Sequence, residues 1–374
     1  MRLVIDGQRL TAERTGVGRC LEDLLATWSS EGWPLDRVVI ALRDSAGLAR
    51  VPRGSGADVR LVGEGWPGLV WETFALGRIL RRDDVLLAPA NLIPWNWRGR
   101  SVLILYDTLT WSNPGGFPRL VRWRFGWRYK LAARRATRIV VPSRATASDV
   151  ARFHGVPRER MRVVYPGPGE GFYRREPGSQ EEVEARAAFG LGDAPFFLFV
   201  GKRSRRRNVP AVLDAFERLC DRFPDCRLVF VGPAGGEPAR PTGANVVDGG
   251  FVDERTLVGL YAGAVALIYP SESEGFGLPV VEAQACGCPV ITSRTGALLE
   301  SAAEGVIALG DLSSESILRA MTTLLEDSTA RDESITRGFQ NARRFDSRAF
   351  ALGVSEEIRR VAGLGEPRPT GSHV

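Results

Sequence analysis

Histidine is nearly absent from this chain: of 374 residues only His154 and His373 are histidine. Chemistry that rests on an imidazole base therefore has few candidates. Cysteine is scarce as well. Cys20, Cys220, Cys226, Cys286 and Cys288 are odd in number and irregularly spaced, which argues against a disulfide framework. Cys286 and Cys288 form a single C-x-C with no second pair, so no metal site is expected. They read as small buried residues in a reducing compartment. No apolar run reaches 18 residues, so no transmembrane helix is expected. The start, Met1 to Asp6, reads straight into a strand and lacks the apolar region of a signal peptide, so a cytoplasmic location is expected. No zinc-finger, RNA-recognition or helix-turn-helix signature is present, so nucleic acid is not an expected partner.

What the chain does have is arginine, glycine and alternation. Lys and Arg number 50 against 44 Asp and Glu, a net charge of +6. That suits anionic partners such as sugar nucleotides or acidic lipids. The length exceeds one ordinary core, so two domains are expected. Short apolar strands alternate with helical stretches through residue 164, and the pattern restarts at residue 196. Such alternation implies parallel sheets with helices on both faces. The helices of the first half are expected at 19–30, after a loop at 7–18, and at 71–80 and 119–135. The reading is α/β, with two Rossmann-like doubly wound domains facing a central cleft. The expected bounds are 1–175 for the first domain, 176–194 for a linker and 195–345 for the second domain. A last helix at 346–362 returns to the first domain, and 363–374 form a frayed tail.

The densest stretch is PSESEGFGLPVVEAQACGCPVIT, residues 270–292. An apolar strand leads into a turn at Gly275, Phe276 and Gly277, and a helix starts near Pro279. Free backbone N–H groups at such a helix start receive anions. Two carboxylates flank the turn, Glu274 before it and Glu282 inside the helix. Both could be solvated acids on an ordinary strand–turn–helix. Glu282, however, sits among Val280, Val281, Ala283 and Ala285, where a lone carboxylate is costly unless hydrogen-bonded. Residues 201–208, GKRSRRRN, follow a strand and place basic side chains where a diphosphate would be met. A solvated cationic loop is the plainer alternative. The loop at 14–19, RTGVGR, sets Gly16 and Gly18 before a helix, without the third glycine of a dinucleotide fingerprint. Tyr106 and Asp107 close the strand at 101–106.

These motifs resemble those of retaining GT-B glycosyltransferases, specifically glycosyltransferase family 4 (glycosyl transferases group 1). Glu274 and Glu282 match the family's E-x7-E, and E-G-F-G-L-P followed by E-A-x-A-x-G-x-P-V is typical of it. The resemblance covers about residues 1–362. It implies a hexosyltransferase that takes a sugar from a nucleoside diphosphate sugar with retention, without a metal ion or other cofactor. The acceptor would be a glycan, a lipid-linked molecule or a natural product. Glu282 would bind ribose hydroxyls. Glu274 and the N–H groups of Phe276 to Leu278 would hold the donor sugar. Lys202 and Arg207 would reach the diphosphate, with their types exchanged relative to the family, and Asn208 matches a common ending of that loop. Gly16, Gly18, Gly275 and Gly277 would serve the donor, and Val252 would lie by the base. Tyr106 and Asp107 stand where the family has His-Asp, so Tyr106 is the main departure. Catalysis would involve Glu274, Tyr106 and Asp107. Two other readings carry a similar fold: a sugar-nucleotide epimerase, and a non-catalytic sugar-nucleotide-binding protein.

Residues 117–138 hold Trp123, Phe125, Trp127 and Tyr129 among eight Arg or Lys. Leu120, Trp123, Trp127 and Leu131 fall at helical spacing. One reading is a peripheral contact with an anionic membrane on its inner face, close to a lipid-linked acceptor. The other packs the apolar stripe on the sheet and leaves a solvated basic face.

Overall fold

The computed structural model describes residues 1–113, 115, 119–233 and 243–364. The chain forms two compact units, Met1–Gly167 with Asp346–Val374, and Pro168–Phe345. The first boundary falls at residue 167 rather than 175. The tail expected from residue 363 lies, from 365 onward, outside the described residues.

The first unit is built on seven parallel strands. In chain order they are β1 (Leu3–Asp6), β2 (Val38–Leu42), β3 (Asp58–Leu61), β4 (Val85–Ala88), β5 (Arg100–Ile104), β6 (Arg138–Val141) and β7 (Met161–Val163). Their spatial order is β3-β2-β1-β4-β5-β6-β7. β1, β2 and β4 are wholly buried apolar runs apart from Asp6, as expected of a sheet covered on both faces. The first helix starts at Gly16, three residues before the expected start. Thr15 caps it by accepting the Gly18 N–H at 3.1 Å, a bond the sequence reading did not include. Wider π-helical turns occur at Trp71–Leu76, Arg122–Gly126 and Val150–His154, the first two inside expected helices. The last helix, Ser347–Ala362, belongs to this unit. Trp28 of the first helix donates to the Ala351 carbonyl at 3.1 Å, and Ser347 donates to Asp23 at 3.0 Å.

The aromatic, basic helix does not bury its apolar stripe. Leu120, Trp123, Trp127 and Leu131 are 72%, 68%, 54% and 39% exposed. The face turned inward is small: Gly126, Ala132, Ala133 and Ala136. Small residues there let the backbone approach the sheet and leave the large side chains outside. The packed reading of this stripe is thereby corrected.

The second unit has six parallel strands: β8 (Phe196–Val200), β9 (Arg227–Val231), β10 (Val246–Asp248), β11 (Ala266–Tyr269), β12 (Val290–Thr292) and β13 (Ile307–Ala308). Their order is β10-β9-β8-β11-β12-β13. The stretch expected as a linker is part of this unit. Gln180–Ala188 is a helix laid against Glu254–Gly263. Glycines permit the approach: a Cβ at Gly259 would stand 2.0 Å from the Glu181 carbonyl oxygen, and one at Gly263 would stand 2.9 Å from the Glu182 side chain. Phe172, Ala185 and Leu191 join the same core as Leu257, Val258 and Tyr261.

Candidate functional site

In an open parallel sheet, ligands bind where strand order reverses, at the carboxyl ends of the two diverging strands. In the second unit that point lies between β8 and β11. The chain leaving β8 is the basic loop 201–208, and the chain leaving β11 is the stretch that carries Glu274. The two strongest motifs of the sequence therefore meet at one place.

Glu274 is nearly buried and its Oε1 collects four donors. Arg207 Nε lies at 3.1 Å, Tyr269 Oη at 2.7 Å and Ser271 Oγ at 3.1 Å, and Arg206 Nη1 makes an ion pair with the same oxygen. Burial pushes the carboxyl up, but Arg207, Arg206 and the hydrogen bonds outweigh it and hold the pKa at about 2. Glu274 is thus a fixed anion.

Arg207 is committed inward. Its Nη2 donates to Tyr269 Oη at 3.0 Å, and its Nη1 reaches the Val200 and Lys202 carbonyls, each at 3.4 Å. Gly201 makes room for it: at φ +111° a Cβ there would overlap the guanidinium. Arg207, expected at a diphosphate, is in this structure the counter-charge of Glu274. Lys202 is exposed at the same loop. Asn208 adopts φ +53° at the start of helix Val209–Cys220, and its side-chain amide donates to Leu312 O at 2.5 Å.

Beyond the glycine turn, helix Leu278–Ala285 begins after Gly277, which holds φ +95°. Phe276 is buried edge-on against Phe345, with ring centroids 5.3 Å apart. Leu278 and Pro279 open the helix; Pro279 has no N–H to satisfy, and the Val280 N–H donates to the Gly277 carbonyl at 2.9 Å. Glu282 is 1% exposed, and its Oε2 accepts from Tyr261 Oη at 3.2 Å. Val252 packs at the edge of the core just before Asp253, which caps helix Glu254–Gly263. Gly250, before it, accepts the Gly232 N–H at 2.6 Å.

The remaining candidates lie in the first unit. Gly16 and Gly18 sit in the first turn of helix Gly16–Glu31. Tyr106 and Asp107 follow β5, and Asp107 accepts the Leu109 N–H at 3.0 Å. The Tyr106 phenol has Cys20 and Asp23 of the first helix beside it, and burial raises its pKa well above the ordinary value. It is a hydrogen-bonding group that stays protonated. His154 is buried and, chiefly by burial, pushed down to about 4, so it is neutral at physiological pH.

Sequence reasoning missed Arg206, Tyr269, Ser271 and Tyr261. Arg206 was legible only as one of a run of three arginines. Tyr269 was visible as the last residue of a strand that ends on the site. Nothing in the sequence paired Tyr261 with Glu282, because the two meet through tertiary packing.

Comparison with known proteins covers most of the chain. The family model for glycosyl transferases group 1 matches residues 182–341, and that for glycosyltransferase family 4 matches residues 14–168. The chain belongs to the group 1, family 4 glycosyltransferases. Within the family it is similar to a D-inositol 3-phosphate glycosyltransferase of Mycolicibacterium smegmatis, 34% identical over 184 residues, or 46% of this chain and 41% of that one. It is also similar to an O-antigen chain mannosyltransferase B of Escherichia coli, 27% identical over 219 residues, covering 55% and 56%. The chain spans about two fifths of the length of the first of these relatives and just over half of the second. Among solved structures, Anabaena Alr3699/HepE in complex with UDP and glucose aligns with a TM-score of 0.73 at 19% identity, covering 97% of this chain and 99% of that one. The fold is that of the GT-B glycosyltransferases. Among the described residues no helix is long and apolar enough to cross a membrane.

Proposed function

We propose that this chain transfers a sugar from a nucleoside diphosphate sugar to a hydroxyl of an acceptor, with retention and without a metal ion. The observation that carries the reading is the convergence of Glu274, Glu282 and the glycine turn at the reversal point of the second sheet. The solved relative from Anabaena is recorded with UDP-glucose, which supports a nucleotide-sugar donor.

Each group then has a task. Glu282 accepts the ribose hydroxyls, with Tyr261 fixing the carboxylate. The helix start at Leu278 and the charge of Lys202 offset the diphosphate. Glu274, held ionised, accepts hydroxyls of the donor sugar. Arg207 and Arg206 position Glu274. In a front-face substitution the bond from the anomeric carbon to the leaving phosphate breaks as the acceptor oxygen arrives on the same face. The leaving phosphate takes the acceptor proton, so no side-chain base is required, in keeping with the scarcity of histidine. The acceptor is a glycan, lipid-linked or small natural-product hydroxyl.

A thermal-unfolding screen of UDP, GDP, ADP and dTDP sugars tests the donor site. A ligand at about 100 times its Kd adds ~2.7 kcal/mol, enough to move a midpoint by several degrees. Glu282→Ala is expected to abolish the shift. Silence across all four nucleotides would sink the reading, and a full shift in Glu282→Ala would remove that residue from the ribose role. Release of nucleotide and sugar in the same samples separates a transferase from a binding protein.

The exposed stripe of the first unit supports a peripheral location on an anionic membrane surface. Lys130 stacks over Trp111 and Trp127 at 5.0 and 5.8 Å, and Arg124 and Arg134 share the outer face. Tryptophan and arginine together suit the boundary between headgroups and acyl chains. Wild type is expected to float with phosphatidylglycerol vesicles and the Trp123→Ser/Trp127→Ser variant to stay in the dense fraction. Equal flotation of the two would count against this location.

A further inference from the structure

Glu274 is delivered by a segment that has left the sheet. Backbone pairing of β11 with β12 runs from Leu267 with Val290 to Tyr269 with Thr292 and stops there. The Tyr269 carbonyl then accepts the Ser271 N–H at 2.9 Å, a tight turn that ends the strand. Past this point the strand ladder no longer serves the chain, and its buried carbonyls need other partners.

Side-chain hydroxyls take the place of the ladder. Thr292 Oγ1 donates to the Tyr269 carbonyl at 2.7 Å, Ser293 Oγ to the Ser271 carbonyl, and Thr295 Oγ1 to the Glu272 carbonyl at 3.2 Å. Thr292 and Ser293 are buried, as is Ser271. The donors come from the end of β12 and the loop after it. On the opposite flank, the Glu272 N–H donates to the Arg206 carbonyl at 2.8 Å, and Arg206 Nη1 donates to the Ser273 carbonyl at 2.8 Å. The segment is therefore gripped from both sides, by hydroxyls after β12 and by the basic loop after β8.

Ser271 joins the hydroxyls to the carboxylate. Its carbonyl accepts from Ser293, and its own Oγ donates to Glu274 Oε1 at 3.1 Å. The chain after β12 also meets the far side of the glycine turn. A Cβ at Gly277 would stand 2.6 Å from the Leu298 side chain and 3.3 Å from Ser301 Oγ, both on the short helix Leu298–Ser301. One continuous stretch, 292–301, thus fixes the residues before Glu274 and the turn after it. The arginines keep Glu274 ionised, and the hydroxyls decide where it stands.

Resting on the transferase reading above, we propose that Thr292, Ser293 and Thr295 are positioning residues for sugar transfer, a row of hydroxyls that sets Glu274 against the donor sugar. They act through Glu274. A carboxylate moved by a fraction of its hydrogen-bond length loses alignment with the sugar hydroxyls in the transition state. The ribose and diphosphate contacts, at Glu282, Leu278 and Lys202, lie outside the row. Loss of a hydroxyl therefore slows transfer and leaves the affinity for the nucleotide as it was.

UDP-glucose, GDP-mannose, ADP-glucose and dTDP-glucose are offered to the full-length protein with water as acceptor, and release of the nucleoside diphosphate is timed. The Kd of each matching free nucleoside diphosphate is measured by titration calorimetry on the same preparations. Ser293→Ala and the nearly isosteric Thr292→Val are each expected to lower kcat for release about tenfold, with the Kd of the free nucleotide within about twofold of wild type. Thr292→Ser, which keeps the hydroxyl, is expected to recover most of the rate. If the buried variants do not fold, Thr295→Val, at an exposed residue, is expected to lower kcat about threefold with Kd unchanged. Wild-type kcat in the variants overturns the proposal. So does a fall of affinity in step with kcat, or a loss in Thr292→Ser equal to that in Thr292→Val, since either marks a merely structural role. If wild type binds no nucleotide or releases none, the transferase reading falls and this inference with it; if wild type releases nucleotide and the variants keep its rate, this inference alone falls.

Discussion

Glu274→Ala is expected to cost the second unit about 3–5 kcal/mol and to lower its unfolding midpoint by roughly 10 °C. The substitution removes the one acceptor on which Arg206, Arg207, Tyr269 and Ser271 converge. Arg207 is the decisive partner. Its other N–H groups are spent on Tyr269 and two carbonyls, so without Glu274 its charge stays in the interior with no counter-ion. The same carboxylate gives the unit an acid-sensitive term. Its folded pKa of about 2 lies below the ordinary 4.5. A depressed acid contributes stability above its unfolded pKa and loses it as pH falls toward the folded one. The window is therefore about pH 4.5 to 2, and the amount is on the order of 3 kcal/mol. Calorimetry of wild type and Glu274→Ala across that range checks both statements. A variant that melts within 2 °C of wild type at pH 7 (about the width set by the smaller estimate of ion-pair worth) would show that the cluster is solvated rather than interior.

Glu72→Gln is expected to do the opposite, stabilising the first unit at alkaline pH. Burial raises the folded pKa of Glu72 to about 8, so the folded protein holds a proton that the unfolded chain releases near 4.5. A raised acid contributes its stability fully below the unfolded pKa and loses it as pH rises through the folded one. Between about pH 4.5 and 8 the first unit should lose on the order of 5 kcal/mol from this group. Asp6, raised by burial to about 6, adds to the same slope over its lower part. Glutamine has no proton to lose. The variant should match wild type at pH 4.5 and melt roughly 10 °C higher at pH 8.5. Parallel melting curves against pH for the two proteins would mean that Glu72 is ionised in the folded state.

The architecture was legible because it depends on local pattern. Apolar runs such as 38–42 and 196–200 form strands in any context that buries both faces, and their alternation with helices leaves few topologies. The acids and glycines of 274–282 were legible because a turn, a helix start and buried carboxylates leave a compositional mark. What was not legible arises from contacts distant in sequence. Arg207 reads as a cation for a ligand, yet Glu274, 67 residues away, takes it. The π-helical turns keep helical spacing and look like ordinary helix until the structure interrupts them. The stripe at 120–131 has the pattern of a buried face, and only the small residues opposite it, Gly126, Ala132 and Ala133, decide that it turns outward.

The glycines at 259 and 263 bear on how the second unit can be cut from the chain. They seat the helix Gln180–Ala188, and that segment brings Phe172 against Tyr261, ring centroids 6.2 Å apart. Tyr261 is the residue that braces Glu282. A fragment that starts at the first strand of the unit, near residue 196, would leave Tyr261 bare on one side and its hydroxyl free to swing. Such a truncation would retain Glu274, Glu282 and the basic loop and still loosen the brace on Glu282, so a fragment that keeps that brace has to begin before Phe172, at the boundary of the unit, Pro168.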